Sequence, residues 1–303
     1  MKKIRINAKS TPEIGELLPK IDAGFRNIEI QLIHKFLSKN EYVETELAIK
    51  EYGVDISVVH SPLIPKSADA NSFEIALNHL LLFGTEEVLE DTIKYAEFVA
   101  QIENHRVKVV IHNDFSKELC IQTALIKEKI GPMLQRILNK YEHVDLVIEN
   151  GSCFDNDRFR TIANMEDVAY AVKELNEFIP NRVHPLIDTC HILMSWEAWK
   201  RFTYEDLTDW DREFGLATMY HKLGLIHLNN IRDNGIDTDH GMPFDFNLED
   251  DKLKLKKIMD AYEKYASCEI TIEVRENDYF STPYNLISTR ESLEKMGYEL
   301  DLG

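Results

Sequence analysis

Short apolar runs that end in a potential metal ligand recur along this chain. In the six clearest cases the final residue is a histidine or a carboxylate: His60, His112, Glu149, Asp188, His227 and Glu273. A β-branched run is typical of a buried parallel strand, and a polar residue at its carboxyl end faces the mouth of the sheet. Because helical sequence separates the runs, the pattern predicts a barrel of alternating strands and helices with its chemistry on one rim.

The spacing of the predicted elements fits one such barrel. The predicted strands are Ile4–Asn7, Asn27–Leu32, the run ending at His60, Val107–His112, Asp145–Glu149, His184–Asp188, Leu225–Leu228 and Glu269–Val274. The predicted helices are Pro12–Ile21, Glu41–Tyr52, Glu86–Asn104, Lys117–Tyr141 (with Gly131-Pro132 as a candidate break), Met165–Phe178, Leu253–Tyr265 and Tyr284–Glu294, and Trp196–Tyr220 is predicted to be mostly helical. No Gly/Ser/Pro-rich linker divides them, so we predict an α/β fold, a single (β/α)8 TIM barrel domain over residues 1–303. A doubly wound sheet is the alternative, but it would more naturally have a glycine-rich first turn.

Charge and composition indicate which kinds of binding partner and which cellular compartment to expect. The net charge of −18 weighs against tight binding to nucleic acid, whereas carboxylates at the mouth of a barrel would attract divalent cations. No apolar run approaches the roughly 20 residues that span a membrane, and the basic start lacks the apolar segment of a signal peptide. The four cysteines show no CxxC spacing, so we expect reduced thiols in a cytoplasmic protein.

The ligand-type residues at the strand ends have either a structural or a metal-binding role. A lone histidine at a strand end is more often a hydrogen-bonded structural residue. Six such residues at six strand ends are harder to explain without a cation, because unpaired buried carboxylates cost several kcal/mol each. Carboxylate oxygens mixed with imidazoles suit zinc or manganese, so we predict a divalent metal site.

Several short motifs give the chain a resemblance to a known superfamily. They are Val147-Ile148-Glu149-Asn150, Asp188-Thr189-Cys190-His191, His227-Leu228-Asn229-Asn230 and Ile272-Glu273. With this strand order, the chain resembles the xylose isomerase-like TIM-barrel superfamily, which includes endonuclease IV and many sugar phosphate isomerases and epimerases. The resemblance implies a shared metal site formed by Glu149, Asp188, His227 and Glu273.

The resemblance to endonuclease IV implies further metal ions. His60, His112 and His191 match its additional ligands in position, together with Asp237 and either Asp239 or His240, so one to three ions are expected. The sequence departs from the family pattern here, since Asp237-Thr238-Asp239-His240-Gly241 replaces the usual Asp-x-His and Gly-x-Gly. The choice between Asp239 and His240 therefore stays open.

Two chemistries follow from these ligands. In a sugar or sugar phosphate isomerase or epimerase, Glu149 and Glu273 would exchange a carbon-bound proton as base and acid, while His191 and Arg232 orient substrate oxygens. In an endonuclease IV-like phosphodiester hydrolase, two or three zinc ions bridged by Glu149 would activate water. The ligand count favours the hydrolase, whereas the net charge and the missing DNA-contact motifs favour the isomerase or epimerase, which we predict. A non-catalytic metal-binding module is a third hypothesis, and the sequence leaves substrate, metal identity and oligomeric state open.

Overall fold

A computed structural model describes most of the chain. The described residues are 3–33, 37–62, 64–65, 73–74, 86–112, 123–124, 126–151, 165–203, 208–233 and 238–303.

Eight parallel strands form a closed barrel. They are β1 (Ile4–Ser10), β2 (Asn27–Gln31), β3 (Asp55–His60), β4 (Val107–His112), β5 (Val144–Glu149), β6 (Val183–Asp188), β7 (Leu225–Leu228) and β8 (Glu269–Ile272). Each strand pairs in parallel with the next, and β8 pairs with β1, where Ile6 lies beside Ile270. The prediction of a (β/α)8 TIM barrel is confirmed.

Helices surround the strands. They are α1 (Ile14–Asp22), α2 (Lys39–Tyr52), α3 (Glu86–Glu103), α4 (Gly131–Leu138), α5 (Met165–Asn176), α6 (Thr189–Thr203), α7 (Trp210–Ala217), α8 (Glu249–Tyr265) and α9 (Tyr284–Lys295). A π-helical turn, Ile126–Ile130, leads into α4. The stretch Trp196–Tyr220, predicted to be mostly helical, contains the end of α6 and all of α7, which Asp209 caps by accepting a hydrogen bond from the backbone N–H of Arg212. Among the described residues, no helix combines the length and the apolar character needed to cross a membrane.

The inside of the barrel contains a separate apolar layer. Five fully buried side chains form it: Val58, Val110, Val147, Leu186 and Leu225. Each stands two residues before one of the predicted ligands at a strand end. Because side chains alternate along a strand, residues two apart face the same side, so His60, Glu149, Asp188 and His227 point into the barrel above the layer.

A β-ribbon extends from the strand ends after β7. Its strands, Asn230–Asp233 and Thr238–Met242, pair antiparallel. Gly241 has a φ of 72°, a conformation that glycine adopts at little cost. Two further short strands, Ile64–Pro65 and Phe73–Glu74, form another ribbon, and Leu300–Asp301 pairs with the start of β1.

Candidate metal centre

The carboxyl ends of β5, β6, β7 and β8 bring four predicted ligands together. His227 Nδ1 lies 2.7 Å from Glu273 Oε2, 3.2 Å from Glu149 Oε1 and 3.9 Å from Asp188 Oδ2. One ligand atom from each of the four residues lies within 4.8 Å of all the others. His227, Glu149 and Asp188 are almost fully buried, whereas the Glu273 side chain is 20% exposed and opens the centre toward the rim. We call these four residues the central ligand group.

The central ligand group fits a divalent cation. Glu273 Oε2 is buried and lacks a hydrogen bond, although His227 Nδ1 is only 2.7 Å away, so the contact does not have the alignment of a hydrogen bond. Three carboxylates surround one nitrogen that can carry only one proton, and their mutual repulsion therefore calls for additional positive charge. Three oxygen ligands and one imidazole nitrogen match the preferences of zinc and manganese.

The pKa values of this group reflect the concentration of negative charge. Burial lowers the pKa of His227, but the carboxylates of Glu29, Glu273 and Glu149 outweigh it and raise the pKa well above its ordinary value. Burial raises the pKa of Glu273, but Lys9 and His227 outweigh it and hold the pKa well below the usual range. The surroundings therefore favour an ionised Glu273 and a positively charged group at His227.

Two further histidines each have one ring nitrogen held by a backbone carbonyl. His60 Nδ1 lies 2.9 Å from the Ser61 carbonyl oxygen, and His191 Nδ1 lies 2.7 Å from that of Asn150. A carbonyl only accepts, so Nδ1 is the donor in both rings, and in the neutral ring Nε2 keeps its lone pair. Fixing one nitrogen in this way is typical of metal-binding histidines.

The Nε2 edges of these two rings face other candidate ligands. His60 Nε2 lies 3.5 Å from Glu149 Oε2. His191 Nε2 lies 3.1 Å from His240 Nε2, and both histidines belong to a second group that also contains Asp188 and Cys190. Both places bring ligand-type side chains together, and their roles in binding additional ions stay predictions.

The remaining three predicted ligands lie wholly or partly outside the residues that the structure describes. Asp237 and the side chains of His112 and Asp239 lie outside the described residues. The backbone of His112 is in register with Glu149 on the neighbouring strand. Their roles as ligands stay predictions.

Arg232 has a well-defined partner away from the central ligand group. Its guanidinium forms two hydrogen bonds to Asp251, of 2.9 and 2.6 Å, at the start of α8. Asp251 also accepts hydrogen bonds from the Asn230 side chain and from the backbone N–H of Asp245. Arg232 thus fastens the ribbon to α8, and its predicted role in orienting a substrate stays a prediction.

Two charged residues beside the central ligand group were missed by the sequence prediction. Lys9 Nζ lies 2.6 Å from Glu273 Oε1 and 3.5 Å from Glu29 Oε1. Burial lowers the pKa of Lys9, but Glu273 and Glu29 outweigh it and raise the pKa, so the ammonium persists. The predicted first strand ended at Asn7, whereas β1 runs on to Ser10 and places Lys9 inside the barrel. The polar residue at every second position (Arg5, Asn7 and Lys9) was the available signal.

A cavity of about 440 Å³ opens beside the central ligand group on the rim. Lys9, Gln31, His240, Glu273 and Arg275 contribute polar groups to its wall. A larger cavity of about 790 Å³ lies at the opposite end of the barrel, around the amino-terminal ends of the strands. Because ligands of barrel enzymes bind at the carboxyl ends of the strands, we assign the smaller cavity to the candidate site.

The sequence profile of the Xylose isomerase-like TIM barrel family matches residues 21–295. The chain belongs to this family. The family includes metal-dependent enzymes, among them isomerases and endonuclease IV. No curated protein matches the chain significantly.

Solved structures share this fold at low sequence identity. The IOLI protein with a bound zinc atom has a TM-score of 0.59 and 13% identity, covering 96% of this chain and 97% of that one. Endonuclease IV from Thermus thermophilus has a TM-score of 0.53 and 16% identity, covering 96% and 99%. A sugar phosphate isomerase/epimerase from Parabacteroides distasonis has a TM-score of 0.52 and 10% identity, covering 98% and 95%. Since isomerases and endonucleases occur on similar scaffolds, these likenesses do not distinguish between the two functions.

Proposed function

We propose that this protein is a divalent-metal-dependent isomerase or epimerase of a small sugar or sugar phosphate. The observation that carries the proposal is the placement of two glutamates around one histidine, with Glu149 3.2 Å and Glu273 2.7 Å from His227 Nδ1, beside the 440 Å³ cavity. A cavity of this size and polarity suits a small polar molecule. The net charge of −18 is also better matched to such a substrate than to a nucleic acid.

The proposed reaction moves a carbon-bound proton. A divalent ion held by the central ligand group would polarise the substrate carbonyl and acidify the adjacent C–H bond. The Lys9 ammonium holds the pKa of Glu273 low, so its carboxylate is ready to accept that proton. Glu149 would take a proton from water and return it to the carbon, and Glu273 would release its proton to water, which resets the pair. His191 would orient a substrate oxygen.

Deuterium incorporation tests this proposal. Candidate ketoses and their phosphates, incubated with the metal-loaded protein in deuterated water, should gain deuterium at the carbon next to the carbonyl. Glu273→Gln should abolish the exchange even where elemental analysis shows retained metal, because the amide cannot accept the proton. Glu276→Gln is the control, since its carboxylate binds the backbone N–H groups of Leu286 and Asn285 instead. Absence of deuterium from every sugar tested would contradict the proposal.

A multinuclear phosphodiester hydrolase is the second candidate. The approach of His191 Nε2 to His240 Nε2 favours it, as does the position of His60 beside Glu149, because both provide ligands for additional ions. Such an enzyme would cleave an abasic-site oligonucleotide or a small phosphodiester, and no carbon-bound proton would move. Cleavage without deuterium exchange would reverse our ranking of the two functions.

A further inference from the structure

Glu29 is a buried carboxylate on β2 that faces the centre of the barrel. Its side chain has no exposed surface, and Oε2 lies 3.1 Å from His227 Nε2. The same oxygen accepts a 2.7 Å hydrogen bond from the Thr271 hydroxyl. The Thr271 hydroxyl in turn accepts a hydrogen bond of 3.4 Å from the Asn7 side chain. This leaves the hydroxyl proton of Thr271 directed toward Glu29. Glu29 is therefore held in place from β1 and β8.

We propose that Glu29 is a positioning residue that sets the orientation and tautomer of His227. A carboxylate only accepts hydrogen bonds, so Nε2 of His227 must carry the proton that it shares with Glu29. In the neutral ring this leaves the lone pair on Nδ1, the nitrogen that faces Glu149, Asp188 and Glu273. The inference rests on the metal centre of the proposed function.

A direct role for Glu29 as a metal ligand fits the contacts less well. Glu29, His60 and His227 do offer atoms within 4.8 Å of one another. However, Oε2 of Glu29 already accepts from Thr271 and His227, and Oε1 lies 3.5 Å from the Lys9 ammonium. An ion placed at Oε1 would be repelled by that ammonium at short range. The contacts therefore favour Glu29 as a hydrogen-bond acceptor for neighbouring groups and not as a metal ligand.

The substitution Glu29→Gln separates these roles. The glutamine amide can present its NH2 group to Nε2, which stabilises the tautomer with its proton on Nδ1 and blocks the metal-binding lone pair. Losing a carboxylate partner of a ligand histidine typically lowers metal affinity about 10- to 100-fold, so we expect a loss in this range. Glu29→Asp retains the charge and should lose less. Thr271→Val removes one hydrogen bond to Glu29 but keeps the carboxylate, and should change affinity least.

Metal affinity and tautomer state are the measurements. Zn²⁺ and Mn²⁺ affinities are measured by competition with a chromophoric chelator, and the thermal midpoint of each metal-free variant checks folding. Nitrogen-15 NMR of the zinc-loaded wild-type protein should show His227 protonated at Nε2, which tests the inference even if Glu29→Gln does not fold. Unchanged affinity in Glu29→Gln, or protonation of His227 at Nδ1, would overturn it, as would loss of one full metal equivalent at unchanged affinity.

The outcomes also separate this inference from the proposed function. Weakened metal binding in Glu29→Gln, together with no deuterium exchange in the wild-type protein, would support Glu29 as a positioning residue and refute the isomerase. A wild-type protein that binds neither Zn²⁺ nor Mn²⁺ would contradict both.

Discussion

Replacing Lys9 by methionine should change metal affinity and metal-free stability in opposite directions. The Lys9 ammonium lies 2.6 Å from Glu273 Oε1, and a metal ion bound to the other oxygen of Glu273 would be close to it. For a separation of roughly 5 Å and an effective dielectric constant of about 20, a divalent ion and an ammonium repel by about 7 kcal/mol. Neighbouring carboxylates and water screen much of this repulsion. We therefore expect Lys9→Met to bind Zn²⁺ at least about tenfold more tightly, a gain of about 1.4 kcal/mol.

The metal-free variant should be less stable than the metal-free wild-type protein. Without Lys9, Glu29 and Glu273 lose a buried cation, and breaking a buried ion pair by removing one partner costs about 3–5 kcal/mol. Protonated His227 offsets part of this loss, so we expect the free energy of unfolding to fall by about 2–3 kcal/mol.

Chelator competition and urea unfolding of EDTA-treated protein measure the two effects. Lys20→Met is the matched control, because Lys20 is also buried and pairs with a glutamate, Glu16, outside the central ligand group. It should lower stability but leave zinc affinity unchanged. Equal or weaker zinc binding by Lys9→Met would refute the view that Lys9 and the metal ion share the same negative charge.

Further predictions concern other parts of the barrel. Replacing His60 and His112 together by alanine should lower the metal stoichiometry but retain the central ion, and an unchanged stoichiometry would support a mononuclear centre. Burial lowers the pKa of His184 to about 4. The unfolded chain, with a histidine pKa of about 6.5, therefore binds more protons below that pH, and stability should fall by about 2 kcal/mol between pH 7.5 and 5. His184→Gln should not show this loss in urea unfolding across the same pH range. Arg232→Met should lower the free energy of unfolding by about 1–3 kcal/mol, because Asp251 loses its guanidinium partner; unchanged stability would show that the pair does not fasten the ribbon.

The strand ends could be predicted because their signal is local. A β-branched run followed by a histidine or carboxylate marks both a buried strand and its carboxyl end, and this holds for β3, β4, β5 and β6. The barrel then follows from the alternation of strands and helices. Helix limits were less accurate, since α6 starts at Thr189 rather than Trp196, and the start of α7 depends on one capping hydrogen bond to Asp209.

The inner partners could not be predicted in the same way. Glu29 lies 198 positions before His227 in the sequence, and the two meet only because the barrel is closed. A glutamate between two isoleucines is typical of any half-exposed strand, so its alternation alone does not reveal a buried residue. The pairing of Arg232 with Asp251, 19 positions further along the chain, was also not predicted, and the role of Arg232 toward a substrate stays a prediction. That the domain spans all of residues 1–303 also stays a prediction.

The apolar layer inside the barrel lies between two charged networks. Above it is the central ligand group, and below it Glu269 accepts a hydrogen bond from Ser57 and pairs with Lys108 and Arg5. The five side chains of the layer separate the two networks electrostatically, since none of them is polar or has an ionisable proton.

Asn7 links the two networks across this apolar layer, because its amide donates hydrogen bonds to both Glu269 and Thr271. An amide holds its protons at neutral pH, so this link positions groups without carrying charge between them. Glu269 and Glu273 share no direct partner among the described contacts, and a double-mutant cycle between Glu269→Gln and Glu273→Gln should therefore give a coupling energy below about 0.5 kcal/mol. The lower network can thus be redesigned for stability, with Asn7 kept, without altering how the upper one handles protons.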